Sequence, residues 1–197
     1  MSLFRPLALA VLVFAGLLSA CSRTEPLKDI NGLSLAQAEM GRDFNLTDTQ
    51  GKRVSLADFK GKVLVLFFGF VQCPDVCPTS LLRASQVQSL LGADGERVQV
   101  AFITVDPERD TPEILRAYTT AFDPSFMALT GTPEEIARTA KELKVFYQKV
   151  PTGSSYTIDH TALSYVYDTQ GKLQMALRHE QTAEEVASDL RKVLALH

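Results

Sequence analysis

Val63-Leu64-Val65-Leu66-Phe67-Phe68-Gly69-Phe70 runs without a break into Val71-Gln72-Cys73-Pro74-Asp75-Val76-Cys77-Pro78, and this junction decides the fold. Residues 63–70 are almost wholly apolar and do not alternate with polar residues, the pattern of a strand buried on both faces of a parallel sheet. A helix is expected to begin near Pro78, with Ala84, Val87 and Leu91 at i, i+3 and i+7. The loop between the carboxyl end of such a strand and the next helix is where open α/β sheets build their sites. Here the loop carries two cysteines at C-x3-C spacing, each followed by proline. Proline disfavours the α conformation in the residue before it, so Cys73 and Cys77 are both expected to be non-helical. Cys77 is then the expected N-cap with Pro78 at the first helical position, where the positive helix end would lower the pKa of its thiol.

Outward from this junction the chain reads as alternating elements. Upstream, residues 43–47 and 53–56 are two short strands around Gln50-Gly51. Downstream, residues 98–105 form a second buried strand, and Thr111-Pro112 opens a helix with Ile114, Tyr118 and Phe122 on one face. Thr132-Pro133-Glu134-Glu135 is a capping box, followed by an Ile136, Ala140 and Leu143 stripe. Residues 145–150 and 162–167 are expected strands, separated by the flexible stretch 151–155. Thr169-Gln170-Gly171 then turns the chain back into residues 173–177. A second capping box, from Thr182 to Glu185, starts a last helix that buries Val186, Leu190, Val193 and Leu194. Met127 and Met175 lie in apolar stretches and read as core.

The whole chain has 197 residues, 46 % of them hydrophobic and 22 % charged, which suits one globular domain and excludes a disordered, collagenous or polytopic membrane protein. A net charge of −3 gives no basis for binding nucleic acid. Three cysteines are too few for a disulfide scaffold. At the start, Arg5 precedes an unbroken apolar or small-residue run over 6–20, which has the shape of a signal sequence. It ends in Leu18-Ser19-Ala20-Cys21 and resembles a bacterial lipoprotein signal, which implies cleavage before Cys21 and a lipid on that residue. The competing reading is an uncleaved membrane anchor, which needs ~17–25 apolar residues. Either way the body lies outside the cytoplasm, where thiols are easily oxidised. The expected division is a signal peptide over 1–20, a lipid-anchored tether over 21–40, and a domain over 41–197, on the periplasmic side of a bacterial envelope membrane.

The order of strand, helix, strand, helix, helix, hairpin and final helix resembles the thioredoxin-like order. The expected fold is a thioredoxin-like α/β sandwich with an added N-terminal β-hairpin and an insertion before the closing antiparallel strands. The C-x3-C loop is one residue longer than the C-x-x-C of thioredoxin-like redox motifs, and two thiolates favour a soft ion such as Cu(I). Of the three histidines, His197 is terminal and His179 lies in a polar stretch where a solvated role is expected. His160, in Asp159-His160-Thr161, stands where thioredoxins carry the proline that faces their cysteines, which places its imidazole opposite Cys73 and Cys77. Asp159 is a candidate either to orient that ring or to start the turn.

Cys73-Pro74-Asp75-Val76-Cys77-Pro78, then Val105-Asp106-Pro107-Glu108-Arg109-Asp110-Thr111-Pro112, then Asp159-His160-Thr161 together resemble the Sco/SenC copper-binding proteins of cytochrome c oxidase assembly. The resemblance implies a membrane-anchored copper metallochaperone that holds Cu(I) and Cu(II) through Cys73, Cys77 and His160. It further implies delivery to the binuclear copper centre of cytochrome c oxidase subunit II, with another periplasmic copper chaperone as a possible donor. Asp106 and Arg109 are expected either to punctuate a helix start or to form a polar rim where a partner docks. An alternative enzymatic role is a thiol-disulfide oxidoreductase that keeps the oxidase subunit's copper-ligand cysteines reduced through Cys73 and Cys77. Cys77-Pro78-Thr79 also prompts a thiol peroxidase reading, but the threonine that peroxiredoxins place three residues before the reactive cysteine is replaced by Phe70 or Pro74.

Overall fold

The computed structural model describes residues 27–196; the expected signal segment, the expected lipidation site Cys21 and His197 fall outside the described residues. The chain forms β1 (Leu33–Ser34), β2 (Asn45–Asp48), β3 (Arg53–Ser55), β4 (Val63–Gly69), α1 (Val76–Leu91), β5 (Val98–Thr104), α2 (Pro112–Thr120) and β6 (Met127–Thr130). It continues through α3 (Pro133–Glu142), β7 (Tyr147–Thr152), β8 (Ser155–His160), β9 (Ser164–Tyr167), β10 (Leu173–Leu177) and α4 (Ala183–Leu194). Eight strands make one sheet in the order β1-β10-β9-β4-β5-β6-β2-β3, while β7 and β8 pair only with each other. β4, β5 and β6 are parallel. β9 runs antiparallel to β4, and β10 antiparallel to β9.

The unbroken apolar run is explained by a core on each side of β4. Leu64, Leu66, Phe68 and Phe70 pack into one face with Ile136, Ala140 and Leu143 of α3. Val63, Val65 and Phe67 pack into the other, with residues of α1, α2 and α4. Burying side chains of this size contributes about 1.5–3 kcal/mol each, so this strand is fixed from both sides. The caps form as expected: Thr132 and Thr182 each accept from the backbone N–H of the third helical residue and complete a capping box.

Several sequence expectations are corrected. α1 begins at Val76 with Asp75 as N-cap, so Cys77 is the second and Pro78 the third helical residue. The first four N–H groups of a helix have no intrahelical partner, so proline is tolerated there, and the steric bias on its predecessor is overridden. On α2, Ile114 is exposed and the fully buried residues are Leu115 and Thr119, with Tyr118 and Phe122 half-buried behind them. β6 was not expected, and the supposedly flexible stretch 151–155 is the tip of the β7–β8 hairpin, which fills the expected insertion. The tether expected over 21–40 is docked in its second half. β1 pairs with β10, and the backbone N–H groups of Asn31 and Gly32 each donate to the Asp189 carboxylate at 2.9 Å.

Candidate metal centre

Cys77 is fully buried in the first turn of α1. Gly69, the last residue of β4, makes room for it: a Cβ there would meet Cys77 Sγ at 2.6 Å and the Phe102 ring at 2.8 Å. Cys73 sits half-buried in the preceding loop, and its N–H donates to the Phe70 carbonyl at 3.2 Å. The base of that loop is tied to β5. Val71 N–H and the Thr104 hydroxyl both donate to Asp110 Oδ2, at 3.1 and 2.6 Å. Burial nevertheless pushes the Asp110 carboxyl above its ordinary range.

His160 closes β8 opposite Tyr147. Its ring stands edge-on to Phe67 and Phe70, with centroids 6.2 and 6.0 Å away. Nδ1 lies 3.1 Å from the Thr161 carbonyl. A carbonyl can only accept, so Nδ1 carries the proton and Nε2 is turned toward the sulfurs, 3.5 Å from Cys77 Sγ. Asp159 is exposed and does not orient the ring; the main-chain carbonyl of Thr161 has that role. The ligand atoms of Cys73, Cys77 and His160 all lie within 4.8 Å of one another, and among the described residues this is the one cluster of its kind.

The charge sits on the other sulfur than expected. A hydrogen bond from the Cys77 thiol outweighs burial and holds Cys73 down to about 3. Cys77 is pushed above an ordinary thiol, because it donates to Cys73, is desolvated and lies beside the Cys73 charge. Helix-end stabilisation is thus outweighed at Cys77 by its neighbour. His179 is not a free surface group: Nδ1 lies 3.2 Å from Ser80 Oγ, and its carbonyl accepts from Arg83. Met127 and Met175 are core residues, as expected. The polar rim is also corrected, since Asp106 and Asp110 are each 1 % exposed and turn inward. Sequence reasoning missed Gly69, although a lone glycine in a bulky apolar strand signals a close approach.

Two thiols and an imidazole gathered at the carboxyl edge of a central parallel strand define a thioredoxin-like domain with a metal-binding site. The chain belongs to the SCO1/SenC family, whose model matches residues 34–195. A SCO2-like protein of Rickettsia felis is 32 % identical over 89 % of this chain and 87 % of its own length. The structure of Bradyrhizobium japonicum ScoI with copper bound is 45 % identical, with a TM-score of 0.73, covering 79 % of this chain and 99 % of that one. BsSco, described as a member of the Sco family of cytochrome c oxidase assembly proteins with a disulfide switch, is 25 % identical with a TM-score of 0.65, over 88 % of this chain and all of that one.

Proposed function

We propose that this protein is an extracytoplasmic copper metallochaperone that takes up copper through Cys73, Cys77 and His160 and delivers it to the binuclear copper centre of cytochrome c oxidase subunit II. The observation that carries the reading is the convergence, within 4.8 Å, of two sulfurs from the β4–α1 junction and one nitrogen from the end of β8. Donors so spaced can surround one ion at metal–ligand distances of roughly 2.0–2.3 Å, with zinc as the guide, after a small closure. Two thiolates select Cu(I), and the imidazole extends the site to Cu(II). Copper is the cargo here. Half-buried Cys73 and His160 are the ligands an acceptor can reach, while fully buried Cys77 retains the ion until an incoming donor displaces it. A periplasmic copper chaperone is the class of protein that would load the site.

The test is copper stoichiometry and X-ray absorption on the reduced protein, beside His160→Ala. One copper with two sulfurs and one nitrogen, weakened by the variant, supports the reading; binding indifferent to His160 overturns it. A second reading, thiol-disulfide exchange that keeps the subunit's cysteines reduced, is favoured by the division into a Cys73 thiolate and a Cys77 thiol. It needs both cysteines but not His160, so retained disulfide reduction in His160→Ala separates the two.

The site is expected to operate at the periplasmic face of the envelope, held by a lipid on Cys21. Leu18-Ser19-Ala20-Cys21 behind the apolar run supports this. Cys21→Ser is expected to abolish labelling by a radioactive fatty acid and to release the protein from membranes.

A further inference from the structure

We infer that Arg109 is a positioning residue that joins the loop carrying Cys73 to the strand carrying His160 and so keeps the metal-free ligands in register; the inference rests on the copper-site reading above. Cys73 and His160 belong to different segments, which meet through the His160 ring on Phe67 and Phe70 and through Ile158 in the core. β7 and β8 form their own two-stranded sheet, outside the eight-stranded one, so no ladder hydrogen bond fixes β8 against β4.

Arg109 bridges this gap. Its Nη1 donates to Gln72 Oε1 at 3.1 Å, on the residue next to Cys73. The same Nη1 donates to the Tyr156 carbonyl at 2.9 Å, four residues before His160 on β8. The guanidinium lies 3.7 Å from the Tyr156 ring centroid and 5.9 Å from that of Phe70. Asp106, fully buried, holds the arginine in place through Nε and accepts from the Tyr156 hydroxyl at 2.8 Å. A planar fork with five donors can stack on one ring and still bridge two segments; a lysine offers only a point charge. Nη2 is buried with no hydrogen-bond partner among the described residues.

Amide hydrogen exchange on the reduced, metal-free protein tests this. In Arg109→Gln, exchange at residues 71–73 and 156–160 should quicken about tenfold, the effect of losing one charge-assisted hydrogen bond on a local opening. Amides of β4 and β5 should keep their wild-type rates, and the nuclear Overhauser contact between the His160 ring and Cys77 should weaken. Unchanged exchange at both segments, or an equal rise across the whole domain, overturns the inference. Gln72→Ala changes only an exposed side chain and should quicken 71–73 alone, so it carries the test if the arginine variant does not fold; no change there overturns the inference. Copper is absent throughout, so a wild-type protein that holds no copper would defeat the site reading and leave this measurement standing.

Discussion

Cys77 Sγ lies 3.5 Å from His160 Nε2, across 83 residues of chain. The contact is made by a helix start and a hairpin end that meet over Gly69, where only a residue without a side chain leaves space for the sulfur. Cys77, fully buried against Gly69, is therefore the inner wall of the site. Cys73, on a loop anchored through Val71 to Asp110, is its accessible face.

This asymmetry predicts selective alkylation. In the reduced, metal-free protein, iodoacetamide should modify Cys73 and spare Cys77, as mass mapping of the labelled peptides will show. The Cys73 rate should be nearly flat between about pH 5 and 8, because the thiolate is already formed there. In Cys77→Ala, which removes the hydrogen-bond donor, the inflection should rise toward the ordinary thiol value near 8.5. The linkage has a definite sign. A depressed pKa at Cys73 contributes stability that is complete above the unfolded value and is lost as pH falls toward about 3. Relative to Cys73→Ser, metal-free stability should thus decline as pH is lowered from about 8 to about 4.

Gly69→Ala should disturb the site more than the fold. The added Cβ would stand 2.6 Å from Cys77 Sγ and 2.8 Å from the Phe102 ring, neither of which is free to move far in a packed core. Denaturant titration is expected to show a loss of about 1–3 kcal/mol, the usual effect of overpacking. Copper affinity, measured by competition with a chromophoric chelator, should fall while Cys73 stays reactive.

Much of this arrangement was legible in the sequence, and the parts that were not have physical reasons. β4 announced itself because it packs on both faces, and the two threonine capping boxes because a helix start is settled within four residues. β6 has only four residues, too few for a period to show. β8 is a largely polar strand whose only sheet partner is β7, so no apolar face marks it. Cys73, Cys77 and His160 were found from motif order. Their protonation was not, since it depends on which sulfur is buried and which one receives the hydrogen bond. The inward turn of Asp106 and Asp110 was not legible, because a loop rich in charge reads equally as helix-start punctuation or as a polar rim.

Asp189→Ala should free the segment ahead of β1. The carboxylate is fully buried and accepts from Asn31 N–H, Gly32 N–H and the Gln181 side-chain amide, at 2.9, 2.9 and 3.2 Å. Removing it strands these donors, a loss of about 2–4 kcal/mol in denaturant titration. Limited proteolysis should then cut before residue 35 at a rate the wild-type protein resists. Unaltered cleavage would mean that this segment is held by the β1–β10 pairing alone.

Oxidation should switch the site off. Joining Cys73 and Cys77 as a disulfide removes two electrons and two protons, and with them both thiolate donors, leaving His160 as the one remaining ligand. The two sulfurs lie within 4.8 Å of each other, so a short movement of the Cys73 loop brings them to bonding distance. Fully oxidised protein is therefore expected to hold no copper after gel filtration, and to recover a full equivalent once a dithiol reductant is added and removed anaerobically. A His160→Ala protein should pass through the same oxidation and reduction with unchanged thiol counts while recovering less copper. Copper retained by the oxidised wild-type protein would require donors other than the two sulfurs, and no second cluster of such groups exists among the described residues.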